Sequence, residues 1–233
     1  MQWFDDTFYL QDTQLLAIPA FLRARSPIGR VPRANALGQI FVEIDDAAIC
    51  DELIHLQIYG FNPFVADLVR DRWRPFYPGD TLMQPLFDRM MLIMGYLPGQ
   101  VSSRVALRVR PPDKDQIGLP EAEFAGEANA RLRDVVRAVR CKLKTHQRAF
   151  GWWPLAVMAE TPKPGESHHL ACGMPMRNTP NPRESDALGR PGGLKRVHIV
   201  DGACFSDLPG EHLTYTIMAN STRIAARSTE SLK

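Results

Sequence analysis

Two stretches of period-two alternation constrain the fold of this chain most strongly. In residues 53–59 (LIHLQIY), Ile54, Leu56 and Ile58 fall on one side of an extended backbone. Leu53, His55, Gln57 and Tyr59 fall on the other. In residues 101–110, Val101, Ser103, Val105, Leu107 and Val109 alternate with Ser102, Arg104, Ala106, Arg108 and Arg110. Half-exposed antiparallel strands show this pattern. The apolar side of 53–59 must face a core, and its polar side is either solvated or lines a cavity. Residues 39–45 (QIFVEID) add another strand, rich in β-branched and aromatic side chains. Residues 86–96 and 101–110 are expected to pair through Leu97-Pro98-Gly99-Gln100, since Pro-Gly suits the centre of a type II turn.

The helical period appears elsewhere. In 127–150, Leu132, Val135, Val136, Val139 and Leu143 form an apolar stripe, Arg and Lys fill the rest, and Gly151 is the stop. Residues 213–228 read as a closing helix with Ile217, Met218, Ile224 and Ala225 at apolar positions. A short helix interrupted by Pro19 is expected from Leu15, Leu16, Ile18, Phe21 and Leu22. Another is expected over 61–74, ended by Pro75, Pro78 and Gly79. Residues 26–36 and 111–120 read as loops, 152–160 as extended, and 196–201 (RVHIVD) as a short strand. Residues 160–193 are rich in Pro, Gly and polar side chains, and loops of that length are uncommon unless functional. Strands, a helix, a loop, a strand and a final helix predict an α+β fold, with a mostly antiparallel sheet and flanking helices. No internal repeat or interdomain linker stands out.

Composition excludes several classes of function. The chain has 233 residues, 45% hydrophobic and 23% charged, as globular chains do. Its 28 basic and 26 acidic residues nearly cancel, so nucleic acid is not an expected partner. The longest apolar run, 90–97, is broken by Gly95 and is too short for a membrane span. The first residues are acidic where a signal peptide is basic. Cys50, Cys141, Cys172 and Cys204 are widely spaced, which points to reduced thiols in the cytoplasm rather than a disulfide framework or zinc ribbon.

Chemistry concentrates in the last third. His168 and His169 open the segment 167–176 (SHHLACGMPM), and His212 follows Pro209-Gly210 just ahead of the closing helix. A helix N-terminus carries partial positive charge, so a histidine there favours its neutral form and can act as base or acceptor. Surface hydrogen bonding for the His168–His169 pair, and a simple helix-flanking role for His212, stand beside that reading. His198 lies in a strand-like segment and is expected to pack. Adjacent histidines do not converge easily on one ion and no carboxylate is in register with Cys172, so no metal site is expected. No GxSxG, Walker A or HExxH pattern occurs. Gly189–Gly193 neither follows a strand nor opens a helix, which makes it a weak phosphate cradle.

The order of these segments carries a resemblance. His-His-x-x-Cys-Gly-Met-Pro-Met is followed by Asp186-Ala-Leu-Gly-Arg-Pro, then by Arg196-Val-His-Ile-Val-Asp-Gly-Ala-Cys-Phe-Ser-Asp-Leu-Pro-Gly, and last by His212-Leu-Thr-Tyr-Thr-Ile-Met-Ala-Asn. This resembles the C-terminal signature of the glucose–methanol–choline (GMC) oxidoreductases, over about residues 160–228. The 53–62 segment (LIHLQIYGFN) is similar to bacterial members, less specifically. The resemblance implies that His169 is the catalytic histidine, with Met176 at the expected distance and His168 at a variable position. It implies that His212 occupies the second His/Asn position. It implies that Asp201, Gly202 and Ala203 lie along the flavin, and that Leu213 and Thr214 begin the helix near the flavin's pyrimidine end. Cys172-Gly173 stands where the family has Gly-Thr. No GxGxxG unit for FAD occurs.

What the resemblance implies is the substrate-binding and catalytic C-terminal portion of an FAD-dependent oxidoreductase, across residues 1–233, without the Rossmann half that binds FAD. Its substrate would be a small-molecule alcohol, and its flavin would be held mainly by an FAD-binding domain or subunit in trans. The alternative is a truncated or split gene product, inactive alone, that serves as a subunit or a non-catalytic binding domain.

Overall fold

A computed structural model of the chain describes residues 6–23, 40–60, 67, 70–71, 74–111, 119–167 and 169–230. The expected α+β class is observed: two antiparallel sheets with three helices among the described residues. The chain forms two compact units, and each is assembled from separate segments. One comprises Met1–Gln14, Leu97–Leu132 and Pro162–Lys233; the other comprises Leu15–Tyr96 and Arg133–Thr161.

The second unit is built on a five-stranded sheet. Its order is β3 (Ile40–Ile44), β4 (Ile54–Gly60), β5 (Met90–Tyr96), β2 (Leu15–Leu22) and β8 (Trp152–Pro154). The alternation of 53–59 sets the register of β4: Leu56 lies opposite Gly95 and Ile58 opposite Ile93. Ile54, Leu56, Ile58, Ile93, Leu16 and Ile18 are all buried. The polar side of β4 is also enclosed. His55 and Gln57 are buried. His55 Nδ1 lies 2.5 Å from Glu43 Oε1, Gln57 Nε2 lies 3.2 Å from His55 Nε2, and the Tyr59 hydroxyl donates to Gln57 Oε1. A buried polar row of this kind persists only when it is hydrogen-bonded along its length.

Helix α1 (Asp80–Phe87) follows Gly79 and buries Met83 and Phe87 against Met90 and Leu92. Helix α2 (Leu132–Phe150) buries Val135, Val139 and Leu143 and exposes Arg133, Arg137, Lys144 and Arg148. Each buried aliphatic side chain there is worth about 1.5–3 kcal/mol.

The other unit holds a four-stranded sheet, ordered β7 (Glu121–Glu127), β6 (Arg104–Arg110), β1 (Thr7–Asp12) and β9 (Leu170–Ala171). Helix α3 (Thr214–Glu230) closes the chain.

Three expectations are corrected, and one strand is added. Residues 15–22 form strand β2, not a helix. Pro19 is tolerated because its backbone edge faces the short β8, where its carbonyl accepts the Leu155 N–H at 2.8 Å and no ladder donor is needed. Strands β5 and β6 do not pair. Pro98 C=O accepts the N–H groups of Val101 and Ser102, and this tight turn leads the chain from one sheet to the other. Residues 196–201 join no sheet; the Ile199 N–H bonds to Gly189 C=O in a neighbouring loop instead. Residues 121–126 carry no expectation and Glu127 is expected to open the long helix; together they form edge strand β7, tied to β6 by Arg104–Glu127 and Arg110–Glu123 ion pairs at 2.6 Å, and the helix starts at Leu132. The 26–36 loop, most of the 61–74 helix and His168 lie outside the described residues.

Candidate functional site

His169 sits one residue ahead of β9. Its carbonyl accepts the Thr13 N–H at 3.1 Å, and the next two residues pair with β1, Leu170 opposite Asp12 and Ala171 opposite Gln11. The backbone of 172–176 then runs beside a single 3₁₀ turn, Gly202–Cys204. Cys172 N–H donates to Gly202 C=O at 3.0 Å, Met174 N–H to Ala203 C=O at 2.8 Å, and Met176 N–H to Cys204 C=O at 2.8 Å. Three consecutive bonds therefore join the two segments on which the resemblance rests.

Packing around Gly202 is close where they meet. A Cβ on Gly202 would lie 3.4 Å from Ala171 Cβ, with Ile217 and Leu213 side chains close behind. Asp201 caps the turn by accepting the Ala203 N–H at 2.9 Å, and it is exposed. Beneath, Ala171, Cys172 and Leu208 form a small core with Phe205 and Leu213. Burial pushes the Cys172 thiol up to about 12, with Asp207 and Cys204 adding to the shift, so the thiol stays protonated and inert near neutral pH.

The closing helix supplies the second histidine. Its first bond runs from Ile217 N–H to Leu213 C=O at 2.8 Å, so His212 stands one residue before the cap position. The fold brings the two histidines together. The rings of His169 and His212 lie 5.8 Å apart, edge to face at 88°, although 43 positions separate them. Both side chains are exposed. The N-terminal end of α3, with exposed Thr214, opens beside them, where partial positive charge collects. Among the described residues no group of three His, Cys, Asp or Glu side chains is placed to hold a metal ion.

His198 is half-buried and bonds through Nδ1 to Leu188 C=O at 2.8 Å. A concavity lined by Asp67, Arg70, Asp71, Arg74 and Tyr77 belongs to the other unit and contains none of the site residues.

Sequence reasoning missed the side chains that hold the His169 loop. Asp12 accepts the Gly165 N–H at 2.8 Å and the Ser167 hydroxyl. No spacing links residues more than 150 positions apart, so only the folded chain shows this. No family model matches the chain, and no curated protein matches it.

Proposed function

We propose that this chain is the substrate-binding and catalytic portion of an FAD-dependent oxidoreductase of the GMC type, acting on an alcohol. The observation that carries the proposal is the exposed His169–His212 pair at the N-terminal end of α3. Two imidazoles within one small site suit a single substrate hydroxyl: neutral His169 takes its proton at a ring nitrogen, and His212 orients the oxygen. Bound flavin supplies the acceptor for the hydride that leaves the carbinol carbon.

Several features of the chain fit such a partner. Asp201 and Thr214 are exposed, Ala203 and Leu213 half-buried and Gly202 buried. The helix N-terminus suits negative charge on a neighbouring group. Cys172 has φ +65, a conformation glycine adopts without strain, and it stands at the GMC glycine position. Tyr215 is 84% exposed and Met218 57%, and Leu170 and Val200 also face solvent. Exposed apolar side chains in these segments suit cover by an FAD-binding domain in trans, and the same exposure supports the reading of a chain inactive alone.

The test is reconstitution with the FAD-binding segment, encoded beside this chain or supplied as a separate subunit. Alcohols should bleach the flavin under anaerobic conditions. His169→Ala should slow bleaching by about two to four powers of ten without loss of flavin. Bleaching at an unchanged rate in His169→Ala would refute the assignment.

A further inference from the structure

Asp12, the last residue of β1, is fully buried, with 0% of its surface exposed. A carboxylate in that position needs compensation. Among the described residues it makes no ion pair; both of its oxygens are taken by one loop. Gly165 N–H donates to Oδ2 at 2.8 Å, and the Ser167 hydroxyl donates to Oδ1. The loop is shaped to deliver these donors. Lys163–Glu166 has Pro164 and Gly165 at its centre, Gly165 at φ +82, and the Glu166 N–H on Lys163 C=O at 3.0 Å, which makes it a type II turn. Two residues beyond Ser167 comes His169, whose carbonyl accepts the N–H of Thr13, the neighbour of Asp12. The backbone on both sides of His169 is thus tied to residues 11–13: through Asp12 before it, and through β1–β9 pairing after it.

We infer that Asp12 is a positioning residue for His169, holding the 163–169 loop so that the imidazole stays against His212. The reason for a carboxylate is geometric. An N–H and an O–H converge on one group, and a carboxylate accepts both. An amide of the same size offers one oxygen and one NH2, and the NH2 would oppose one of the donors. Burial raises the Asp12 carboxyl above its usual range while the Gly165 N–H pulls it back, so the group is costly to keep there unless its bonds are made. The importance of this placement for catalysis rests on the function proposed above; the placement itself does not.

The experiment uses the full chain with isotopically labelled histidine, comparing wild type with Asp12→Asn. Two signals are read: cross-relaxation between the His169 and His212 rings, and hydrogen exchange of the Thr13 amide. In Asp12→Asn the ring contact should fall severalfold. Thr13 should exchange about tenfold faster, the effect of removing one hydrogen bond to a charged group. Tyr9, in the β1–β6 ladder, should stay within about twofold of wild type. An unchanged ring contact and unchanged Thr13 exchange would overturn the inference. So would equal acceleration of all amides, which marks a general stabilising role. If Asp12→Asn does not fold, Ser167→Ala removes one of the two donors and is judged by the same signals. Neither signal involves flavin or alcohol. An intact ring pair in a reconstituted protein without turnover would therefore count against the proposed function and leave the role of Asp12 standing.

Discussion

Adding one methyl group at Gly189 should cost far more than adding one at Gly173, although both glycines lie in the same unit. Gly189 has φ +68, and a Cβ there would sit 2.2 Å from Ile199 C=O oxygen and 3.2 Å from its carbon. Those are backbone atoms, held by the Ile199 N–H to Gly189 C=O bond at 2.8 Å, so they cannot swing aside. The left-handed conformation costs alanine about 1–2 kcal/mol. Relieving the overlap sacrifices that hydrogen bond, about 1 kcal/mol more. Gly189→Ala should therefore destabilise by about 2–3 kcal/mol. At Gly173 the Cβ would meet only the Leu10 side chain, its Cδ2 at 2.6 Å and its Cγ at 3.7 Å, a half-buried side chain that can rotate. Gly173→Ala should stay within about 1 kcal/mol, because the alanine also restricts the unfolded chain. The assay is urea unfolding followed by circular dichroism. With a slope of about 2 kcal/mol per molar, Gly189→Ala should lower the midpoint by about 1–1.5 M and Gly173→Ala by under about 0.5 M. Equal midpoints for the two variants would refute the argument that backbone contacts and the sign of φ decide the cost.

Thiol labelling near neutral pH should modify Cys141 first, since it is exposed; Cys50, Cys172 and Cys204 are buried and should react only after unfolding. Against a reference of 9.0, the Cys172 value of about 12 leaves about a thousandfold less thiolate, and fast native labelling of Cys172 would contradict its placement. Leu143→Ala should cost about 2–5 kcal/mol because only 2% of its surface is exposed, while neighbouring Lys144→Ala should stay within about 0.5 kcal/mol, both by denaturant titration. The raised Asp12 carboxyl means that the folded chain binds this proton more tightly than the unfolded chain. Its contribution is full below the ordinary carboxyl value of 3.8 and is lost as pH rises through the folded value. Asp12→Asn should remove that downward slope from the stability–pH curve, and an unchanged slope would show that Asp12 titrates normally.

Alternation is a strong signal for faces and a weak one for partners. In 53–59 it identifies which side chains enter the core, and β4 buries Ile54, Leu56 and Ile58 accordingly. It does not say what encloses the other face, because His55 and Gln57 look the same to a period count whether solvated or hydrogen-bonded to Glu43 and Tyr59. The expected β5–β6 hairpin fails for a related reason. Pro98-Gly99 does form a turn, but which edge each strand joins depends on β2 and β1, far away in sequence. Apolar density misleads at 15–22, where side chains buried on both faces of a central strand imitate a helical stripe. The edge strand EAEFAGE has low strand propensity and is held by cross-strand Arg–Glu pairs that become visible only once its partner is known.

The candidate site divides along the same line. Motif order points to His169, Asp201 and His212, because each lies beside local features a sequence can display: a turn, a cap, a helix start. What sets their distances is non-local. Asp12 lies 155 positions from Ser167, and neither residue belongs to a recognisable motif. A buried carboxylate is an expensive way to fasten a loop unless the position of that loop matters, since a well-packed apolar pair would hold it as firmly. The chain keeps the carboxylate under Ser167, two residues ahead of an exposed histidine that stands against a second one. The cost falls on the segment whose geometry the proposed chemistry requires, as expected where fold stability is spent on function rather than on packing.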